Sequence, residues 1–148
     1  MPLLIAGGGE RVTLRQVAQY ADASNFGAHA WTGGAVTVDD VRRKCSVLKV
    51  HCQALERPND SVVRSHYTFP LVLAETPSAV QAKLDASPKD WLAFTEASRI
   101  AGSPREVANK YRELVAVGVT YFIATIREAD FESIRLLAEQ VRPLVIAS

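Results

Sequence analysis

Gly7-Gly8-Gly9-Glu10-Arg11-Val12-Thr13 is the segment whose residue types bear most directly on chemistry. It joins an apolar run, Pro2 to Ala6, to a stretch with helical periodicity. A glycine turn between strand and helix frees backbone N–H groups to face an anion, while the helix dipole and a nearby guanidinium favour negative charge. Phosphate is the ligand such a turn suits. The spacing is neither G-x-G-x-x-G nor G-x-x-x-x-G-K-[ST], and glycines also occupy such turns for steric reasons alone, so the local pattern leaves both readings open.

The remaining candidates are weaker. His29, His51 and His66 fall on separate elements, and nothing in their spacing makes them converge. His29, two residues before Trp31 near a strand end, suits a pocket only if the strands form a barrel whose sites gather at their carboxyl ends; a loop histidine is the simpler reading. Ser65 and Thr68 flank His66 without a nucleophile signature such as G-x-S-x-G, so no triad is assigned. Asp22 and Glu75 each end a strand-like run, where capping or a surface ion pair is the commoner use. Arg42-Arg43-Lys44 lacks interleaved aromatics and reads as the solvated face of a helix. No CxxC or HExxH spacing occurs, so no metal site is expected. Cys45 and Cys52 stand about 10.5 Å apart along a helix at 1.5 Å per residue, beyond disulfide reach, and read as reduced core thiols.

The elements that must position these residues follow from periodicity. Pro2 to Ala6 predicts a buried strand, and Thr13 with Gln16 has capping-box spacing ahead of a helix burying Leu14, Val17, Ala18 and Ala21. A short strand is predicted around Ser24 to Gly27. Thr37 with Asp40 starts a second helix, whose periodic positions are Val41, Cys45, Leu48 and Cys52. Val62 to Glu75 reads as one long strand made irregular by Pro70. Helices are expected over Pro77 to Asp85 and Pro88 to Ile100, the second closed by Gly102. Ser103-Pro104-Arg105-Glu106 starts another, with Val107, Tyr111, Leu114 and Val115 buried. Val119 to Ile126 predicts a strand, and Phe131 to Val141 a last helix burying Ile134, Leu137, Ala138 and Val141. Strand and helix alternate at βαβ spacing, which predicts a parallel α/β sheet of three or four strands, half the complement of an eight-stranded barrel.

Length and composition fit one globular domain over residues 1–148: 48% hydrophobic and 22% charged residues leave enough apolar mass for a core. The formal net charge of +1 offers no general attraction to nucleic acid or to an anionic membrane. The longest apolar stretches are far short of the roughly 20 residues of a membrane helix, and the N-terminus lacks secretory-signal features. A cytoplasmic protein is therefore expected.

Taken together, Pro2-Leu-Leu-Ile-Ala-Gly-Gly-Gly-Glu-Arg-Val-Thr-Leu-Arg-Gln-Val-Ala-Gln-Tyr-Ala-Asp-Ala-Ser-Asn25 resembles a hallmark segment of the luciferase-like family of flavin- and deazaflavin-dependent oxidoreductases. Gly102-Ser-Pro-Arg-Glu-Val-Ala, Gly118-Val-Thr-Tyr-Phe-Ile and Leu137-Ala-Glu-Gln-Val-Arg-Pro-Leu144 resemble the same family's closing strand and helices, in the right order. The resemblance implies the C-terminal half of a TIM (β/α)8 barrel. It further implies a flavin or deazaflavin cofactor, FMN or coenzyme F420, whose phosphate is cradled by Gly7, Gly8, Gly9, Glu10, Arg11 and Thr13. Ala6 departs from the family, standing where many relatives have a first glycine. The half that ordinarily supplies the ring-facing and substrate-facing residues has no counterpart, so no catalytic residue carries over. An uncovered half barrel implies association, as a homo-oligomer or with a complementing N-terminal half. Two alternatives accompany the oxidoreductase reading: a non-catalytic binding or assembly module, and a fragment of a longer enzyme.

Overall fold

A computed structural model describes residues 1–29 and 32–147. In chain order the elements are β1 (Leu4–Ala6), α1 (Thr13–Tyr20), β2 (Ala23–Phe26), α2 (Val38–Ala54), β3 (Val63–Thr68), β4 (Leu71–Leu73), α3 (Pro77–Asp85), α4 (Lys89–Thr95), β5 (Ile100–Gly102), α5 (Pro104–Ala116), β6 (Tyr121–Ala124), α6 (Phe131–Leu136), a π turn (Leu137–Val141) and α7 (Arg142–Ile146). None of the described helices is long and apolar enough to cross a membrane. The chain forms two compact units, Met1–Tyr67 with Leu114–Ile123, and Thr68–Glu113 with the residues from Ala124 onward.

The first unit is built on a four-stranded sheet in the order β1-β2-β3-β6. Its first three strands run parallel, with Ala6, Asn25 and Ser65 in register. Thr120 N–H donates to Arg64 O, and the sheet continues through β6. Four strands with intervening helices are what half of an eight-stranded barrel requires, so the expected architecture is present. Helices α1 and α2 pack on each other and bury Leu14, Val17, Ala18, Val41, Leu48 and Cys52. The helix start read at Thr37 and Asp40 is present, and it is a capping box: Thr37 Oγ1 accepts from Asp40 N–H, and the Asp40 carboxylate accepts from Thr37 N–H.

Other expectations need correction. Pro2 to Ala6 is not a buried strand: β1 lies at the edge of the sheet, and Leu3 and Leu4 are 42% and 47% exposed. The Thr13/Gln16 capping box does not form, because the helix begins one residue earlier than that spacing needs, with Val12 at the cap position and no side-chain cap. On α2, Cys45 is only half-buried and Lys44 is the buried residue. Arg57, read as a helix terminator, is also a cap, donating to Val17, Ala18 and Ala21 carbonyls at the end of α1. Both cysteines are free, as expected. Burial raises both thiol pKa values, against the pull of Arg64 on Cys45 and of Arg57 and Arg64 on Cys52, and so favours the protonated thiols.

In the second unit, β4 and β5 pair in parallel, Leu71 with Ile100 and Leu73 with Gly102. The expected long strand therefore breaks at Phe69-Pro70, where proline has no N–H for a ladder, and its second half joins a different sheet. The expected helix Pro88 to Ile100 likewise ends at Thr95, and Ile100–Gly102 becomes β5. Three apolar residues had no periodicity to mark them. Val72, Ala74 and Val80 form a core between β4 and α3. The Ser103/Glu106 box caps α5 as read, with Val107, Tyr111 and Leu114 buried but Val115 42% exposed. Burial raises the Tyr111 pKa, although its hydroxyl shares a 3.1 Å hydrogen bond with Thr68. In the last helix Ser133, Leu136 and Val141 are buried, whereas Ile134 and Ala138 are exposed and Leu137 only half-buried. The π turn's wider spacing carries the buried stripe from Leu136 to Val141 and puts the 3.6-residue pattern out of phase.

Asp130 ties this unit together. It caps α6 through Ser133 N–H and pairs with Lys83 at 2.7 Å, while Lys83 also donates to Leu73 O. Burial alone would raise the Asp130 pKa, but the hydrogen bonds from Lys83 and Ser133 outweigh it and the net shift is downward. A carboxyl lowered by folding contributes stability above its ordinary pKa, and that contribution is lost as pH falls through the folded value. The urea midpoint should therefore drop below about pH 4, and Asp130→Asn should lower it at pH 7 while flattening the drop. Equal pH slopes for the two proteins would refute the assignment.

Candidate functional site

The glycine loop follows the carboxyl end of β1 and leads into α1. Gly7 has φ +125°, a backbone conformation open to glycine, and its N–H donates to Asn25 O at 2.8 Å. Gly8 N–H donates to Thr32 O at 2.7 Å, binding the loop to the one after β2. These two N–H groups, expected to face an anion, are instead spent on neighbouring backbone. The loop's remaining donors are different. Among the described residues, the N–H groups of Gly9, Glu10, Arg11, Val12 and Thr13 make no hydrogen bond: the first three lie in the loop ahead of α1, and Val12 and Thr13 open a helix that has no side-chain cap. Arg11 is exposed and forms no ion pair among the described residues.

Two side chains of α2, seven residues apart and so on one helix face, hold this loop from beneath. Lys44, 4% exposed, donates from Nζ to Gly8 O at 2.6 Å and pairs with Glu10 Oε1 at 3.2 Å. His51 Nε2 lies 2.8 Å from Glu10 O. Arg43 also reaches the Glu10 carboxylate, at 3.4 Å. Arg42 and Arg43 are solvated as expected, but Lys44 is not. A helix facing a loop turns one position in three or four toward it, and consecutive basic residues do not show which. The Glu10 carboxylate is thus the counter-charge to Lys44 and Arg43. Thr13 fills the space where side chains at Gly7 and Gly9 would sit, its Oγ1 only 2.8 Å from a Cβ placed on Gly9.

The loop after β2 completes the arrangement. Gly33 has φ +114°, and a Cβ there would lie 2.5 Å from Gly8 Cα. Gly27 is similarly hemmed in by Thr32. Two glycine-bearing loops therefore meet backbone against backbone at the carboxyl ends of adjacent parallel strands, where α/β folds place ligands. Below them, Asn25 Nδ2 donates to Ser65 Oγ at 3.0 Å, and Ser65 Oγ donates to Ser24 O. This accounts for Ser65 as a structural hydroxyl.

The other candidates disperse. His66 faces Phe122, with ring centroids 6.3 Å apart, and His29 O accepts from Thr32 and Gly34 N–H. Trp31, expected beside His29, lies outside the described residues. Asp22 accepts from Leu3 N–H at 2.7 Å, and Glu75 forms a 3.6 Å surface pair with Arg135, the plainer use of each. No group of three metal-ligating side chains exists among the described residues.

No family model and no curated protein sequence matches the chain. Solved structures do match. The long-chain alkane monooxygenase superposes with a TM-score of 0.74 at 16% identity over 97% of this chain and 40% of its own. The coenzyme F420-dependent tetrahydromethanopterin reductase of Methanopyrus kandleri gives 0.69 at 16% identity, over 97% of this chain and 50% of its own. The oxygenating constituent of 3,6-diketocamphane monooxygenase from Pseudomonas putida, in complex with FMN, gives 0.67 at 12% identity, over 97% and 49%. The chain thus has the fold of the luciferase-like oxidoreductases, as half of their barrel. It spans 40 to 50% of the length of these structures.

Proposed function

We propose that residues 1–148 form a single luciferase-like oxidoreductase or monooxygenase domain that holds the phosphate of FMN or of coenzyme F420 on the loop from Gly9 to Thr13. The observation that carries this reading is the run of N–H groups beside Arg11 that, among the described residues, have no hydrogen-bond or ion-pair partner, at the carboxyl end of a strand in a luciferase-like half barrel. The residues present fit a phosphate: backbone donors, a helix N-terminus and a guanidinium converge on one loop. When bound, the cofactor supplies hydride transfer or oxygen activation. The chain's own part is to bind and orient it. Lys44 and His51 hold the loop's carbonyls inward, which turns the following N–H groups outward, and Gly33 lets the second loop close against the first.

The experiment is equilibrium binding of FMN and of coenzyme F420, followed by fluorescence. Arg11→Ala should weaken either phosphate-bearing cofactor by about tenfold, the loss of one charge-assisted contact, and leave the dephosphorylated forms nearly unaffected. Equal weakening of both forms would remove Arg11 from the phosphate site.

Sheet exposure supports association. Leu4 and Val63 lie on one face of the sheet with the alternate residue Tyr67, and all three are 39 to 47% exposed. Such a face, with edge strands on either side, calls for cover by a second copy or a complementing N-terminal half. Light scattering of the isolated chain should report a dimer or larger; a stable dilute monomer would refute self-association. The chain's coverage of only half its solved relatives also favours a second reading, a fragment or a non-catalytic assembly module. A stable oligomer that binds neither cofactor would select the module.

A further inference from the structure

We propose a second ligand site, independent of the glycine loop, in which a small organic monocarboxylate with an apolar or aromatic body is held by Arg127 and Trp91. The second unit contains an open cavity of about 430 Å³ between the start of β4, the end of α3 and the segment from Arg127 to Asp130. That volume is within the range of small-molecule sites. Pro70, Leu71, Val72 and Ala82 make its apolar lining, with Trp91 alongside.

The polar groups of the cavity divide into spent and available. Lys83 is spent: its ammonium meets Leu73 O, Asp130, Ser133 and Glu132 at 2.6 to 3.2 Å. Arg127 is available. One nitrogen, Nη1, donates to Ala86 O at 3.2 Å and fixes the guanidinium against the end of α3, while no carboxylate pairs with it among the described residues. Trp91 stands edge-on to Phe69 at 6.0 Å, and its indole N–H makes no hydrogen bond among the described residues. A guanidinium anchored on one edge presents its other edge as a planar fork, which matches a carboxylate. Asp130 and Glu128 also line the cavity, so a monoanion is favoured over a phosphate dianion, which two carboxylates would repel. Ala129 adds a second, independent sign. It is a non-glycine residue at φ +62° in the lining segment, a strained conformation of the kind that collects at ligand sites.

The test uses the full chain, ¹⁵N-labelled, and 3-phenylpropionate as probe. The amides of Ser87, Ala129 and Asp130 and the Trp91 indole N–H should shift saturably. Neutral 3-phenylpropionamide should bind about tenfold more weakly, and so should 3-phenylpropionate to Arg127→Gln, an exposed substitution whose spectrum should otherwise be that of the native fold. Arg127→Lys, which keeps the charge and loses the fork, should fall between. The proposal is overturned by equal binding of acid and amide, by an Arg127→Gln protein that binds as the native one does, by shifts that map elsewhere, or by no saturable shift. Inorganic phosphate moving the same resonances at lower concentration would overturn the monocarboxylate class. Arg11→Ala should leave this binding unchanged, which separates the site from the cofactor loop.

Discussion

Gly33→Ala will destabilise the protein by about 3 kcal/mol, measured as the shift of its urea unfolding midpoint with an unchanged slope. Two costs add. The position has φ +114°, which a side chain rarely adopts, and the new methyl would sit 2.5 to 2.7 Å from three backbone atoms of Gly8. Backbone cannot rotate away as a side chain does, so the two loops must separate. Because Gly8 N–H and O are both engaged, that separation also disturbs the grip of Thr32 and Lys44 on the glycine loop. Gly9→Ala is the contrast. Its backbone is not in the left-handed region and its methyl would meet the Thr13 hydroxyl at 2.8 Å, a group that can turn aside. Its cost should be under about 1 kcal/mol. Equal midpoints for the two variants would contradict the close approach of the loops.

Lys44→Met should cost about 2 kcal/mol, the range of a lost hydrogen bond from a charged group, although the methionine keeps most of the buried stem. A solvated lysine would change stability by no more than about 0.5 kcal/mol. The size of the effect therefore decides directly between the reading from sequence and the buried geometry. Gly8 O loses its Lys44 donor, and Glu10 keeps the pair with Arg43 at 3.4 Å. In a double-mutant cycle with Glu10→Gln, the two substitutions should be non-additive, since they remove the same ion pair. Additive losses would mean that Lys44 acts only through Gly8.

The fold was legible because it depends on patterns that survive in a single sequence. Leu14, Val17 and Ala18 at helical spacing, the helix start at Thr37 and Asp40 and the Ser103/Glu106 box each express a local rule, and all three are realised. The glycine loop was legible as a loop for the same reason. What escaped were effects of tertiary contact. Nothing local distinguishes Lys44 from Arg43, because burial was decided by a loop 34 residues away. Gly7 and Gly8 looked free because their partners, Asn25 and Thr32, come from the next strand and loop. Ile100–Gly102 is a three-residue strand whose apolar content fits a helix end equally well, and only pairing with β4 defines it. The last helix misled for another reason, since a π turn changes the period on which the buried stripe was read.

The proposed recognition of a cofactor phosphate by the loop from Gly9 to Thr13 can be observed at the loop's own amides. Amide NMR of the ¹⁵N-labelled chain, titrated in parallel with FMN and riboflavin, tests it most directly because the two ligands differ only in that group. FMN should shift the amides of Gly9, Glu10, Arg11, Val12 and Thr13 saturably, riboflavin should leave them in place, and Gly7 and Gly8, already bonded, should move least. Identical shifts with both ligands, or FMN shifts that avoid this loop, would contradict it.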